Sequence, residues 1–310
     1  MIHCHYTLAQ LQSCLDDWDV EIIQLGPTRI AGDARSIALP SVRVVRLQAG
    51  KPIVIRGTAS AIHDCLILSS PLSAPVRWLG QPIDARRFAV TGRGARIDLF
   101  LPADATVCII GAGLLTGVTA RRVQMRSGSI EGVSRLLSFA EAAGTDADSS
   151  PQSSAHDIDE ALIREVRVAL ETSEALVSEA SARSLRAWAV ARACRYIDSR
   201  LQKPMSLADL SRHCGVGIRT LEYSFRQFYD TTPIGFIKSQ RLTRTHVRLA
   251  QPGAAATSIS KIAKRTGFTH MGQFCQDYRA LFGESPSMTL QRALNLGPPV
   301  ARPTSARPSP

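Results

Sequence analysis

The sequence predicts an α+β protein with an N-terminal β-rich domain, a helical connector and a C-terminal all-α domain. Three observations lead to this fold class. Short apolar runs rich in β-branched residues fill residues 20–125, a Ser/Asp-rich segment occupies residues 141–157, and a two-helix pattern occurs twice in the last hundred residues. A chain of 310 residues has room for about two domains.

The predicted domain boundaries follow these changes in composition. We expect a β-rich domain at residues 1–140, a flexible linker at 141–157, a connector helix at 158–185, the all-α domain at 186–296 and a disordered tail at 297–310.

Five runs in the N-terminal part have strand character. They are bounded by Gly, Pro or Asp, and β-branched residues are frequent in them. The runs are residues 42–47, 52–56, 62–68, 76–79 and 97–101. This layout predicts a small sheet sandwich or barrel.

An apolar seam with alternating steps of four and three follows the linker. Its members are Leu162, Val166, Ala169, Ser173, Leu176 and Ala180. Such a seam is typical of a helix that pairs with a second subunit. Ala and Ser make the seam weak, so packing on its own domain is the alternative.

The C-terminal repeat begins at Ser206 in its first copy and at Ser258 in its second. Ser206, Leu207, Leu210 and Gly215 recur 52 positions later as Ser258, Ile259, Ile262 and Gly267. Leu221, Phe225, Phe228, Tyr229 and Pro233 recur 53 positions later as Phe274, Tyr278, Leu281, Phe282 and Pro286. The one-residue difference falls between Gly215 and Leu221, where a turn would tolerate it.

Each copy predicts two short helices around a turn. Ser206 and Asp209 have the spacing of a capping box, and Gly215 ends that helix. The spacing of Leu221, Phe225 and Phe228 places them on the buried face of a second helix. Thr232-Pro233 and Ser285-Pro286 each predict the start of a further helix. This is helix-turn-helix geometry, in which the second helix presents its exposed face to the major groove.

The helix predicted between the two units covers residues 233–251 and would be about 28 Å long. Its apolar residues lie around the whole axis, as expected for a helix covered on two sides. Such a helix would place two reading helices about one DNA turn apart on one face of the duplex.

Positive charge is concentrated in the repeat. Residues 183–292 contain 18 Lys and Arg against 6 Asp and Glu, a net charge of +12 within a chain of net charge +11. Residues 1–182 therefore carry −3 and residues 293–310 carry +2. A basic region that coincides with paired helix-turn-helix units favours binding to a polyanion over a solvated protein-binding repeat.

The C-terminal segment resembles the AraC/XylS family of bacterial transcription regulators over about 100 residues. The family's fingerprint lies in the second unit, and this chain has it as Ala263, Gly267-Phe268, Phe274, Tyr278, Phe282-Gly283 and Ser285-Pro286. The reading helix departs from the family. Where the family usually has Ser, Ser-Tyr and Arg, this chain has His270, Gly272-Gln273 and Gln276.

The resemblance implies which residues contact DNA. In the first reading helix they are Arg219, Thr220, Glu222, Tyr223 and Arg226. In the second they are Thr269, His270, Met271, Gly272, Gln273 and Gln276. Arginine can pair bidentately with guanine, glutamate can accept from cytosine, and glutamine can pair with adenine. For each residue the alternative is an ordinary solvated side chain.

The resemblance also implies a role for the N-terminal half. In this family that domain usually senses a small molecule or forms a dimer, so we expect a sensor or dimerisation domain. It is similar to the sensor half of ethanolamine-utilisation regulators at Arg87-Phe88, residues 98–102 and residues 108–111. The implied partners are double-stranded DNA, RNA polymerase, a small-molecule effector and a second copy of the chain.

Two features offer an enzymatic or metal-binding alternative. Gly111, Gly113 and Gly117 imitate a dinucleotide fingerprint, but the third Gly is one position late and no strand-helix repeat surrounds it. Five residues could ligate a metal, without a carboxylate to complete a recognisable set. They are His3, Cys4, His5, His63 and Cys65. We expect no catalytic activity, no cofactor and no metal.

The sequence predicts a cytoplasmic protein. The first 20 residues lack a basic start with an apolar run, and no stretch of 18 apolar residues occurs. The seven cysteines lack CxxC pairing, as expected for reduced thiols.

These patterns together predict a sequence-specific DNA-binding transcription regulator, an activator controlled by a small-molecule effector at the N-terminal domain. The alternatives are a metal-binding or enzymatic β domain fused to a DNA-binding module, and a regulator controlled by a protein partner.

Overall fold

The computed structural model describes residues 8–27, 32–70, 74–113, 123–143, 152–176, 182–251 and 257–295. The strands in these residues are β1 (Asp19–Gln24), β2 (Gly32–Ala38), β3 (Val42–Ala49), β4 (Ile53–Thr58), β5 (Asp64–Ser69), β6 (Val76–Trp78), β7 (Gln81–Ile83), β8 (Arg87–Thr91), β9 (Arg96–Leu101), β10 (Ala105–Ala112), β11 (Val123–Ser127) and β12 (Glu174–Ala175). The helices are α1 (Leu8–Ser13), α2 (Glu131–Ala143), α3 (Gln152–Thr172), α4 (Ala182–Arg200), α5 (Leu207–Cys214), α6 (Ile218–Tyr229), α7 (Pro233–Leu249), α8 (Ile259–Arg265), α9 (Met271–Phe282) and α10 (Pro286–Asn295). The predicted α+β fold class is confirmed.

Two sheets form a sandwich in the N-terminal part. The strand order is β1-β4-β9-β6-β7 in the five-stranded sheet and β12-β11-β8-β5-β10-β3-β2 in the seven-stranded sheet. Ile55 and Leu99 of the first sheet lie in one buried cluster with Ile67 and Val107 of the second. This apolar cluster joins the two sheets.

Helices cover the outer faces of both sheets. On the seven-stranded sheet, Leu66 and Val90 are buried with Val133 of α2 and Leu162 of α3. On the five-stranded sheet, Ile23, Val54 and Phe100 are neighbours in the strand register and share a cluster with residues of α4, α6 and α7. The protein is therefore built in four layers, and the C-terminal helices form the last of them.

The predicted strands are found, and seven others accompany them in the described residues. The five runs correspond to β3, β4, β5, β6 and β9. The strand β10 was not recognised because it is buried along nearly its whole length and has no alternation of polar and apolar residues. It lies between β3 and β5 inside the seven-stranded sheet.

Residues 141–157, expected as a flexible linker, and 158–185, expected as a connector helix, include the end of α2, all of α3 and the start of α4. Helix α3 begins at Gln152, inside the range expected to be flexible, and residues 144–151 lie outside the described residues. The seam residues Leu162, Val166 and Ala169 are buried against the seven-stranded sheet, whereas Leu176 is exposed and Ala180 lies outside the described residues. Of the two alternatives, the seam packs on its own domain. The division into domains stays a prediction.

Local capping explains where the C-terminal helices begin and end. The Ser206 hydroxyl accepts from Asp209 N while the Asp209 side chain accepts from Ser206 N, as predicted for α5. Gly215 ends α5 at φ 68°, a left-handed conformation that suits Gly. Thr232 caps α7, which has Pro233 in its first turn and ends at Leu249 rather than at residue 251.

A half-buried histidine of α7 packs against the second unit. His246 of α7 shares a 2.8 Å hydrogen bond with the Tyr278 hydroxyl and stacks on Phe282 at a centroid distance of 4.3 Å. Burial lowers the pKa of His246 to about 4; nearby Glu284 opposes this shift, and Arg292 adds to it.

We predict that stability falls on acidification and that His246 causes part of the fall. Its pKa in the folded chain is below the ordinary value of about 6.5, so its contribution is complete above that pH and is lost as pH falls toward 4. The loss should approach about 3 kcal/mol at pH 4. Urea unfolding at pH 7.5, 6 and 5 would show a shallower pH slope for His246→Gln than for the wild type. Equal pH slopes for the two proteins would contradict a contribution of His246 to the loss of stability in acid.

Candidate nucleic-acid interface

Helix α6 presents one polar face to solvent because its apolar residues face inward. Leu221, Phe225 and Phe228 are buried, as predicted. Among the predicted contact residues, Arg219, Thr220, Tyr223 and Arg226 are exposed and Glu222 is half-buried. Within the described part of the chain, the side chains of Arg219 and Arg226 make no ion pair or hydrogen bond. The structure thus leaves this face open to a ligand.

One side chain outside α6 shapes that face. The Arg186 guanidinium of α4 lies over the Tyr223 ring, 4.8 Å from its centroid, and Arg186 Nη1 donates to Gln227 Oε1 at 3.3 Å. The aromatic ring attracts the cation and is held in place by it. Sequence reasoning did not find Arg186, because it lies 37 positions before Tyr223 and outside the repeat.

On α9, the corresponding helix of the second unit, fewer of the predicted contact side chains are free of other contacts than on α6. Gly272, Gln273 and Gln276 of α9 are exposed, while Met271 is partly buried and packs against the core. Thr269 and His270 precede the helix, with His270 at its N-cap.

Gln273 is held on the surface of α9. Its Nε2 donates to Asp277 Oδ1 at 3.2 Å, and the same oxygen accepts from Lys238 of α7 at 3.1 Å. For a base to pair with Gln273, the Gln273 amide must give up its hydrogen bond to Asp277.

A glycine lets the turn of the second unit approach the end of α4 and helix α7 closely. Gly267, in the turn before α9, has φ 101°, and a Cβ placed on it would lie 2.7 Å from Leu201 O and 2.8 Å from Arg241 Nε. Arg241 in turn donates to the carbonyls of Leu201 and Lys203 at 2.8 and 2.7 Å. The end of α4, helix α7 and the second turn are therefore fixed relative to one another.

The β domain also reaches the helix that joins the units. Glu21 of β1 accepts from Arg244 Nε at 2.6 Å and from Gln240 Nε2 at 2.8 Å. Gln240 Nε2 also donates to Asp198 Oδ1 of α4 at 2.8 Å. These contacts tie β1, α4 and α7 together.

A second polar contact between the domains is buried. Asp98 of β9 accepts from Arg56 Nε at 3.0 Å and from the Tyr229 hydroxyl at 2.6 Å. Burial raises the pKa of the Asp98 carboxyl, although Arg56 and Tyr229 oppose the shift. Sequence reasoning missed this contact because Asp98 and Tyr229 are 131 positions apart and belong to no common motif.

Residues 210–292 match the family model described as a helix-turn-helix domain. The C-terminal domain is a DNA-binding domain of the AraC/XylS type. The predicted resemblance is confirmed for this domain.

Curated relatives match about a third of this chain. The probable thc operon regulatory protein of Rhodococcus erythropolis is 33% identical over 96 residues, 31% of this chain and 29% of the relative. The XylDLEGF operon transcriptional activator 1 of Pseudomonas putida is 35% identical over 101 residues, 33% of this chain and 30% of the relative. The match thus spans less than a third of these relatives.

A solved structure is similar to about a third of this chain. The crystal structure of a probable AraC family transcriptional regulator from Rhodopseudomonas palustris is 35% identical, with a TM-score of 0.32. The alignment covers 34% of this chain and 96% of that chain.

The residues considered for metal or cofactor binding are only partly described. His63 lies near Asp17 and Ser60, with Nδ1 3.3 Å from Asp17 Oδ2. His3, Cys4 and His5 lie outside the described residues, and among those described no group of three His, Cys, Asp or Glu side chains could hold a metal ion.

The glycine-rich segment is also only partly described. Gly111 lies in the antiparallel strand β10, while residues 114–122, including Gly117, lie outside the described residues. No helix in the described ranges is long and apolar enough to span a membrane.

We predict that Gly267→Ala is more destabilising than Gly215→Ala. Both glycines have positive φ, which costs about 1–2 kcal/mol for Ala. A Cβ on Gly215 meets open space, whereas on Gly267 it meets a carbonyl and a guanidinium, which adds about 1–3 kcal/mol. Urea unfolding would measure the difference. Equal losses would show that the turn at Gly267 is not packed tightly against Leu201 and Arg241.

Proposed function

We propose that this chain is a sequence-specific DNA-binding transcription regulator whose N-terminal β domain controls the activity of the AraC/XylS-type domain. The observation that carries the proposal is the pair of exposed polar faces on α6 and α9, held on one rigid frame within a region of net charge +12. Helix α7 has 17 residues and is about 26 Å long, a length suited to adjacent major grooves on one side of a duplex.

The proposed contacts differ between the two units. In the first, Arg219 and Arg226 offer guanidinium groups free to pair with guanine or phosphate, and Tyr223 offers a ring braced by Arg186. In the second, Gln273 and Gln276 offer amides suited to adenine. Thr220, Glu222, Thr269, His270, Met271 and Gly272 complete the proposed interface. The partly buried Met271 contributes mainly to the core.

The N-terminal domain is proposed to regulate rather than catalyse. Its outer sheet face and two polar contacts engage α4, α6 and α7, so a change in that domain has a physical route to the reading helices. A small molecule would act by binding one arrangement of the β domain and the C-terminal helices more tightly than another. Activation, contact with RNA polymerase and dimer formation belong to the proposal. A regulator controlled by a protein partner is the second candidate.

We predict that the full-length chain binds duplex DNA with a steep dependence on salt. Each phosphate contact adds about 0.9 to the slope of log affinity against log salt, so several contacts give a slope of roughly −4 or steeper. Fluorescence anisotropy between 50 and 300 mM chloride, about the range in which counterion release dominates, would measure it. A flat response would contradict an interface built on the +12 region.

We further predict that Arg219→Ala changes sequence preference. It should cost about 1–3 kcal/mol on the preferred site and relax selection at one base pair, with a smaller loss on random DNA. Gln276→Ala should act on the other half-site. Arg195→Ala, which removes an exposed arginine of α4, is the control. Binding to randomised duplexes followed by sequencing measures preference; equal losses on all sequences would make Arg219 a phosphate contact.

A further inference from the structure

A basic cleft lies beside helix α7 in the C-terminal helical region. It has a volume of about 220 Å³. The end of α4 and the turn after it, the second half of α7 and the end of α8 form its walls. Its charged lining residues are Asp198, Arg200, Lys203, Arg244, Arg248 and Arg265.

Most of these cations have no acidic partner. Among the described residues, Arg200, Lys203, Arg248 and Arg265 form no ion pair, and residues 252–256, which are not described, include no charged residue. Arg244 is paired with Glu21, and its Nη2 lies 3.8 Å from Asp198 Oδ1.

The partial negative charges at helix C-termini offset only part of the positive charge of the cleft. Helices α4, α7 and α8 end near the cleft, and each C-terminus attracts cations with about half a negative charge. Five cations against Asp198 and Glu21 leave three positive charges, about twice what the three helix ends can offset. The cleft therefore retains a net attraction for an anion.

We propose that this cleft binds a small phosphate-bearing anion that competes with Glu21 for Arg244. Guanidinium groups match phosphate oxygens bidentately, and Lys203 adds a point charge. This inference rests on the proposed function, because it gives the regulator an effector class and a site.

A DNA phosphodiester has the same chemistry, but the geometry favours a free anion. The Arg244 side chain is half-buried, with 35% of it exposed, whereas Arg200, Arg248 and Arg265 are exposed. A duplex backbone is bulky and would reach the exposed cations first. A small anion can reach these exposed cations and also the Arg244 guanidinium, which is paired with Glu21.

Competition at Arg244 links the cleft to the β domain. An anion that draws Arg244 away from Glu21 weakens one of the polar contacts between the β domain and α7. Reciprocally, the contact with Glu21 lowers the affinity of the cleft for the anion.

The test uses the full chain and inorganic phosphate as the probe. Calorimetric titration at pH 7.5 and constant ionic strength, with chloride as the balancing salt, should give saturable binding to the wild type. Arg248→Gln combined with Arg265→Gln should weaken binding at least about tenfold, the ratio expected for loss of a charge-assisted hydrogen bond. The matched control is Arg195→Gln combined with Arg279→Gln, which removes the same charge from exposed positions outside the cleft and should leave the affinity unchanged.

Glu21→Gln provides a second, opposite readout. It leaves Arg244 without its competing carboxylate, so phosphate should bind several-fold more tightly. Circular dichroism establishes that each variant is folded. Absence of saturable binding to the wild type, or equal weakening by the two double variants, would overturn the proposal.

DNA binding by the same variants separates the two sources of phosphate. If the Arg248/Arg265 double variant loses affinity for duplex DNA while the wild type binds no inorganic phosphate, the cleft is a backbone contact and the proposal is wrong. If the wild type binds DNA specifically but does not bind inorganic phosphate, this inference is wrong and the proposed function is unaffected. Failure to bind any duplex would instead count against the proposed function.

Discussion

The packing of the five-stranded sheet on the C-terminal helices determines how the rest of the molecule is arranged. Ile23, Val54 and Phe100 belong to the same hydrophobic cluster as Phe225 and Phe236, so the β domain completes the core of the first helix-turn-helix unit. Burial of apolar surface is the main favourable term in folding, and it holds Asp98 and Tyr229 together out of water. The two domains therefore share one core instead of meeting at a wet surface. Polar contacts at its edge, such as Glu21 with Arg244, set the relative orientation more than they add stability.

The C-terminal domain could be predicted from sequence because its determinants are local. The capping box at Ser206, the left-handed Gly215 and the spacing of Leu221, Phe225 and Phe228 each act within a few residues. The exposed faces of α6 and α9 follow from the same spacing, since a helix that buries one stripe must show the other. The contribution of Arg186 to the first face could not be found this way, because a contact between α4 and α6 depends on how the helices cross.

The β domain was predicted in class but not in detail. Runs bounded by Gly and Pro located β3, β4, β5, β6 and β9, whereas β10 lacks alternation because both of its faces are covered. The order of strands in the sheets depends on pairings such as Ile109 with Val45, which no local pattern encodes. The same holds for the seam of α3. Its spacing fits a partner helix or a sheet equally well, and only the tertiary structure places Leu162 and Val166 on the seven-stranded sheet.

The close contact at Gly267 has a consequence for the DNA sites this protein can use. Leu201, Arg241 and Gly267 hold the second unit against the end of α4, so the proposed reading faces of α6 and α9 keep a fixed separation and a fixed angle relative to each other. A duplex rotates once in about 10.5 base pairs, and inserting about five base pairs between two half-sites turns the second one to the opposite side. Two units joined by a flexible linker could rotate to match such an insertion, but units fixed through α4 and α7 cannot. Under the proposed function, operators for this chain would keep their half-sites in helical phase, and tolerance in spacing would come from bending or twisting of the DNA.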